Sequence, residues 1–344
     1  MDQEVFVGPC TDALNPRPVV RAMLDALASG ANGALALVVE TKGSTYAGVG
    51  QPVLFVPGTH HGWLSGGCME PEVAERAAAV ALSGQLDWMV IDSRDDAALF
   101  SGAATGCRGY QRLALIPLQP LAACAPLLQR WCAGSIALHW SVRGDGELRL
   151  EAKPCRPGVM PGEATRCRLP LRGHGSGQPS PGSTWRLHWP GPPRVVLYGT
   201  GPETRPLLTL LEQLGWQVQV QDARRQWRSR FLPDAQVDAA GTSCVGDVDL
   251  PGDADVALVM HHGFEADRDA LEYLAGTRTR FIGLLGPARR RDDLLKLLPA
   301  ASVRSLQGRL HGPVGLPLGG RGPEAIALSI VAQLQAWRHG RLDG

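Results

Sequence analysis

Two of the eight cysteines stand out by their surroundings. Cys68 lies in Ser65-Gly66-Gly67-Cys68-Met69-Glu70 and Cys107 in Thr105-Gly106-Cys107-Arg108-Gly109; an earlier turn, Gly43-Ser44-Thr45, has the same small-residue character. Glycine is used where backbone turns sharply or comes close to a ligand. A helix starting just after Cys68 favours the thiolate there, and Glu70 sets a carboxylate two residues after this first thiol. This is the pattern of a binding site. The alternative is the ordinary fate of a free cysteine, a small buried hydrophobe. Cys10, Cys124, Cys132, Cys155, Cys167 and Cys244 have no comparable setting and are read that way.

A second constellation is Gly199-Thr200-Gly201 with Asp222, 21 residues beyond Gly201. A strand, a tight glycine turn, a helix start and then an acid form the dinucleotide fingerprint. The turn lets backbone approach phosphate, the helix N-terminus favours the anion, and the acid takes a ribose hydroxyl. The third glycine is missing, its place held by Thr204. Further along, His261-His262-Gly263 follows a strand, and Arg289-Arg290-Arg291 opens a helix. Either histidine fits contact with phosphate or substrate as readily as a turn position without a role. The arginines fit a bidentate phosphate grip or a solvated helix start.

Elements must hold these residues in place. In the first half, apolar spacing predicts a helix over 18–29, then strands over 33–40 and 52–57. A helix over 71–82 starts just after Cys68, where the positive end of the helix dipole favours an anion. Strands follow at 88–92 and 112–118, a helix at 124–131, and a strand at 136–142 before the Gly144-Asp145-Gly146 hairpin turn. Residues 154–193 are rich in Pro and Gly and read as a linker with one short strand at 185–189. The second half alternates strands (194–198, 217–221, 256–260, 280–284) with helices (203–214, 268–274, 291–297, 323–337). That alternation predicts a doubly wound parallel sheet. The fold class is therefore α/β, with domains at 1–153 and 194–344.

Composition narrows the function classes. A chain of 344 residues with 44% hydrophobic and 19% charged residues suits two globular domains. The net charge of +1 gives no electrostatic reason to expect nucleic acid or an anionic membrane as partner. Eight cysteines without CxxC pairs argue against a disulfide framework or a structural zinc site. An acidic N-terminus without an apolar signal core, and apolar runs of strand length only, predict a cytoplasmic protein.

Together these blocks resemble the XdhC/CoxI family, accessory factors of xanthine dehydrogenase and related molybdenum hydroxylases. The resemblance is carried by Gly43-Ser44-Thr45, by Ser65 to Glu70, and by Gly106-Cys107-Arg108-Gly109. In the second half it lies in Tyr198-Gly199-Thr200-Gly201, Asp222-Ala223-Arg224, residues 281–291 and residues 315–330. It implies an XdhC/CoxI-type α/β domain followed by a Rossmann-like domain. It also implies a chaperone without turnover of its own, which binds molybdenum cofactor (molybdopterin or its dinucleotide form), protects the sulfurated state and inserts it into an apo hydroxylase. A cysteine desulfurase is the implied sulfur donor and a homodimer the implied assembly. Cys107 and Cys68 would contact molybdenum, with Gly67 and Glu70 beside them, while Gly199, Gly201 and Asp222 would take the phosphate or nucleotide end. Two other readings stay open: an NAD(P)-dependent oxidoreductase built on Gly199, Gly201 and Asp222, and a structural component of a hydroxylase complex holding neither ligand. Where the family usually reads Cys-Gly-Gly, this chain has Cys107-Arg108-Gly109.

Overall fold

The computed structural model describes residues 5–7, 15–94, 109–154, 163–173, 177–232 and 254–342. The chain forms two compact units, Met1–Gly191 and Pro192–Gly344.

Among the described residues the first unit contains two five-stranded sheets. Its strands are β1 (Val5–Val7), β2 (Ala34–Gly43), β3 (Pro52–Val56), β4 (Thr59–His61), β5 (Asp87–Asp92) and β6 (Gly109–Pro117). Four more follow: β7 (Ile136–Arg143), β8 (Glu147–Pro154), β9 (Ala164–Arg168) and β10 (Thr184–Trp189). One sheet runs β4-β3-β2-β6-β5 and is antiparallel throughout. Strand β2 at its centre is apolar without alternation because both of its faces are buried. Leu35, Leu37 and Val39 join a core shared with α1 (Arg17–Ala28), α3 (Ala125–Cys132) and the second sheet. Ala34, Ala36 and Val38 meet Val73, Ala77 and Val80 of α2 (Glu70–Ser83) on the other side. Alanine in β2 and in α2 is what lets that helix lie close to the sheet.

The second sheet, β1-β10-β7-β8-β9, buries one face only, and its strands alternate accordingly: Ile136, Leu138, Trp140 and Val142 point inward. Here the structure departs from the sequence reading. Residues 154–193 carry two strands rather than one, and both belong to this sheet. Strand β9 (ATRCR) lies at the sheet edge and pairs with β8 along its backbone. It has no apolar alternation, so no periodic signal marks it.

The second unit is a parallel sheet of β11 (Arg194–Tyr198), β12 (Gln217–Gln221), β13 (Val256–Val259), β14 (Phe281–Leu284) and β15 (Leu310–His311), in the order β12-β11-β13-β14-β15. Helices α4 (Thr204–Gln213) and α9 (Pro323–Arg338) pack on one face. Helices α6 (Phe264–Ala275), α7 (Ala288–Leu297) and α8 (Ala300–Leu306) pack on the other. A shorter α5 spans Arg225–Phe231. This is the expected Rossmann-like doubly wound sheet. The strand order reverses between β11 and β13, and ligands of such sheets bind in the crevice outside the strand ends at that point. The turn after β11 is Gly199-Thr200-Gly201, and the turn after β13 carries His261 and His262.

Candidate functional site

In the first unit, four separated segments converge on one cavity of about 30 Å3. They are the turn after β2, the loop from Leu64 to Met69 that leads into α2, the end of β5 with Ser93, and the start of β6. Its walls include Ser44, Thr45, Ser65, Cys68, Gly109 and Gln111. Gly43 and Gly109 pair in the sheet, and a Cβ on Gly109 would collide with the Ser44 carbonyl oxygen, so only glycine lets the start of β6 lie this close to the turn after β2.

The Cys68 loop is shaped by Glu70, which is only 4% exposed. Its Oε1 accepts from the amides of Leu64 (3.0 Å) and Ser65 (2.8 Å), and its Oε2 from the Ser65 hydroxyl. Ser65 Oγ in turn accepts from the amides of Gly67 (3.1 Å) and Met69 (3.2 Å), with Cys68 Sγ at 3.6 Å. Burial alone would raise the Glu70 carboxyl. The hydrogen bonds from Ser65 and Leu64 outweigh it and hold the group below its usual range. Glu70 therefore does not present itself to a ligand; it holds the loop that presents the exposed Cys68. Gly67, at φ 104, takes a backbone conformation that side chains disfavour. Tyr46 and Trp63 expose most or half of their surface nearby, Tyr46 on the cavity wall and Trp63 beside Gly67.

Cys107, with Gly106 and Arg108, lies outside the described residues; Gly109, two positions further along the chain, is part of the cavity wall. Among the described cysteines other than Cys68, burial pushes the Cys124 thiol up to about 12 and raises those of Cys132 and Cys167, as packed thiols behave. Sequence reasoning missed Gln111. It is 8% exposed, its Nε2 donates to Leu64 O (3.3 Å), and its Oε1 has no hydrogen-bond partner although it is buried in the cavity wall. A larger cavity of about 510 Å3 lies between the β3–β4 hairpin and α2, lined by apolar groups such as Phe55, Ala78 and Leu82, and holds none of the residues singled out from the sequence. Among the described residues no group of three or more His, Cys, Asp or Glu is placed to hold a metal ion. No helix there is long and apolar enough to cross a membrane.

In the second unit the fingerprint residues sit where the fold demands, but with protein partners. Asp222 Oδ2 accepts from Thr200 N (2.8 Å) and Thr200 Oγ1 (2.6 Å), and Oδ1 accepts from the amide and Nε of Arg224 (both 2.9 Å). Burial would raise this carboxyl; the Arg224 and Thr200 hydrogen bonds hold it low. The carboxylate expected to take a ribose hydroxyl is thus fully buried against its own turn. The Gly201 amide, expected to meet phosphate, donates to Thr204 Oγ1 (2.9 Å). The two histidines engage different carboxylates: His261 Nδ1 lies 3.2 Å from Asp267, and His262 Nε2 lies 2.9 Å from Glu203. That contact raises the His262 pKa against the opposing effect of burial. His262 has φ 61, a conformation that costs a non-glycine residue about 1–3 kcal/mol. The three arginines diverge. Arg289 is exposed, Arg290 donates to buried Asp267 (2.7 Å), and Arg291 donates to Gly312 O, so they form no common anion grip.

This chain belongs to the XdhC and CoxI family. The family's own model matches residues 26–90, and that of the XdhC Rossmann domain matches residues 195–334. The chain is 29% identical over 350 residues to a protein of Bacillus subtilis (strain 168) described as a probable xanthine dehydrogenase subunit, covering 91% of this chain and 95% of that one. It is also 29% identical over 147 residues to the uncharacterized protein YqeB of Escherichia coli (strain K12), covering 41% of this chain and 27% of the other. The fold matches the crystal structure of a xanthine dehydrogenase from Bacillus halodurans with a TM-score of 0.72 at 24% identity, over 94% of this chain and 97% of that one.

Proposed function

We propose that the first unit binds molybdenum cofactor, as molybdopterin or its dinucleotide form, and shields its sulfurated state. The protein then delivers it to an apo molybdenum hydroxylase of the xanthine dehydrogenase class. The observation that carries this reading is the cavity where Cys68, the Ser44-Thr45 turn, Gly109 and Gln111 meet. The donor set suits the group. A sulfido-molybdenum centre is soft and matches the sulfurs of Cys68 and Cys107. Gly67 and Glu70 serve by placing the Cys68 thiol. The cavity admits a single small group, so most of the cofactor lies outside it, next to the exposed rings of Tyr46 and Trp63.

The bound cofactor brings the molybdenum centre that the client needs, and this chain contributes holding, exclusion of oxidants and release, without turnover. A cysteine desulfurase as sulfur donor, a cytoplasmic setting and a homodimer belong to the same reading. The name of the Bacillus subtilis relative supports the choice of client class.

The test is anaerobic purification from a host that makes the cofactor, followed by oxidation and fluorescence assay of released pterin. Wild type is expected to carry pterin. Cys68→Ala and Cys107→Ala are each expected to retain at least about tenfold less, the equivalent of about 1.4 kcal/mol of lost contact. Wild type without pterin, or both variants with undiminished pterin, would refute the assignment.

A further inference from the structure

We propose that the nucleotide crevice of the second unit is sealed from within by Glu203 and His262, so that this Rossmann-like sheet does not take a dinucleotide. The inference is independent of the cofactor reading for the first unit.

Three features of the crevice support it. The first is the donors. A pyrophosphate at a glycine turn is held by backbone N–H groups. Here the Thr200 amide is bound to Asp222 and the Gly201 amide to Thr204 Oγ1, both among buried atoms. Thr204 stands where the fingerprint has its third glycine, and its hydroxyl is what occupies the Gly201 amide.

The second is space. The middle glycine of the fingerprint serves to keep the approach to the backbone empty. A Cβ built on Gly201 would lie 2.6 Å from Glu203 Oε1 and 2.8 Å from His262 Nε2. The room that glycine provides is therefore filled by a carboxylate–imidazole pair. That pair spans the reversal point itself, since Glu203 follows β11 and His262 follows β13. Gly199 shows the same inward use: a Cβ there would lie 2.6 Å from His261 Cα, so its bareness serves the close approach of the two turns.

The third is charge. Glu203 is the N-cap of α4 and is 3% exposed, so a carboxyl group already stands at the helix end that would attract phosphate. Arg224 closes the arrangement by donating to His261 O (2.7 Å) and Thr200 O (3.3 Å) while it pairs with Asp222, tying the turns after β11, β12 and β13 together. The acid that would read a ribose is consumed in the same network.

Titration calorimetry of the full-length protein with NAD+, NADH, NADP+ and NADPH tests the proposal. Wild type is expected to show no binding at millimolar nucleotide. Glu203→Ala with Thr204→Gly removes the carboxylate, releases His262 and frees the Gly201 amide. This double variant is expected to bind at least one nucleotide with a dissociation constant at least about tenfold below the millimolar concentration at which wild type shows none. If circular dichroism shows that it does not fold, the milder pair Glu203→Gln and Thr204→Ala carries the same expectation. Saturable binding by wild type, or a folded variant that still binds none of the four, would overturn the proposal.

Discussion

Glu70 acts on Cys68 through Ser65, and its protonation is the way to see this. Its carboxyl sits below 4.5 in the folded protein because amide and hydroxyl donors converge on it, and close to that value when the chain is unfolded. The folded form therefore binds the proton more weakly. The stability Glu70 contributes is complete above about pH 4.5 and is lost as pH falls through the depressed value. Hydrogen exchange of the Leu64 and Ser65 amides, corrected for intrinsic rate, is expected to show protection that declines as the pH falls below about 4.5. Glu70→Gln is expected to be less protected already at pH 6 and to show a flatter profile; identical profiles would remove Glu70 from this role. The nearness of Glu70 to Cys68 is legible in sequence, because Glu70 follows it by two positions. The direction of its carboxylate is not, since it depends on how the loop folds back on Leu64 and Ser65. Gln111 was illegible for a stronger reason: its partner Leu64 lies 47 residues away, and the two meet only when β6 joins the sheet. Glu203 and His262, 59 residues apart, are the same case. The GxG turn and its acid announce a nucleotide in one dimension, and their partners appear only in three.

The elements that were legible are those whose burial is periodic or continuous. The helix at 17–28, the strand at 34–43 and every strand from 194 to 284 carry their signal in local apolar spacing. Strand β10 was legible as the short strand at 185–189, but its place in a sheet was not. Its sequence alternates Trp185, Leu187 and Trp189 inward, yet it sits in Pro- and Gly-rich surroundings and pairs with β7 more than 40 residues earlier in the chain. Trp189 shows what the pairing achieves. It is fully buried against Trp131 and Trp140, and its Nε1 donates to Gly50 O (2.9 Å), the carbonyl of the turn before β3. One side chain thus ties the second sheet to the turn that precedes a strand of the first. Trp189→Ala would open a cavity and orphan that carbonyl, costing about 3–5 kcal/mol. Urea denaturation of residues 1–191 followed by far-UV circular dichroism is expected to show a loss of unfolding free energy of that size. A loss under about 1 kcal/mol would mean that the two sheets hold together without Trp189.

At the scale of the molecule, each unit owns its interior. The two buried clusters of the first unit draw only on residues before 191, and the two of the second only on residues after 192. A separate core is the physical condition for independent folding, so residues 192–344 expressed alone are expected to melt in one cooperative calorimetric transition. The same division separates the chemistry. The cysteine loop, Gln111 and the cavity belong to residues 1–191, whereas the fingerprint network of Asp222, Glu203 and His262 belongs to residues 192–344. If the fingerprint crevice is sealed, the second unit has no phosphate seat to lend, and the first must hold the cofactor by itself. Residues 1–191, purified anaerobically from a cofactor-producing host, are therefore expected to retain pterin within about threefold of the full chain, a difference of about 0.7 kcal/mol. Loss of pterin from a folded fragment 1–191, as judged by circular dichroism, would return the phosphate or nucleotide end of the cofactor to the second unit. Retention would leave that unit the part of scaffold or of surface for the client enzyme, with its glycine turn serving the packing of three loops.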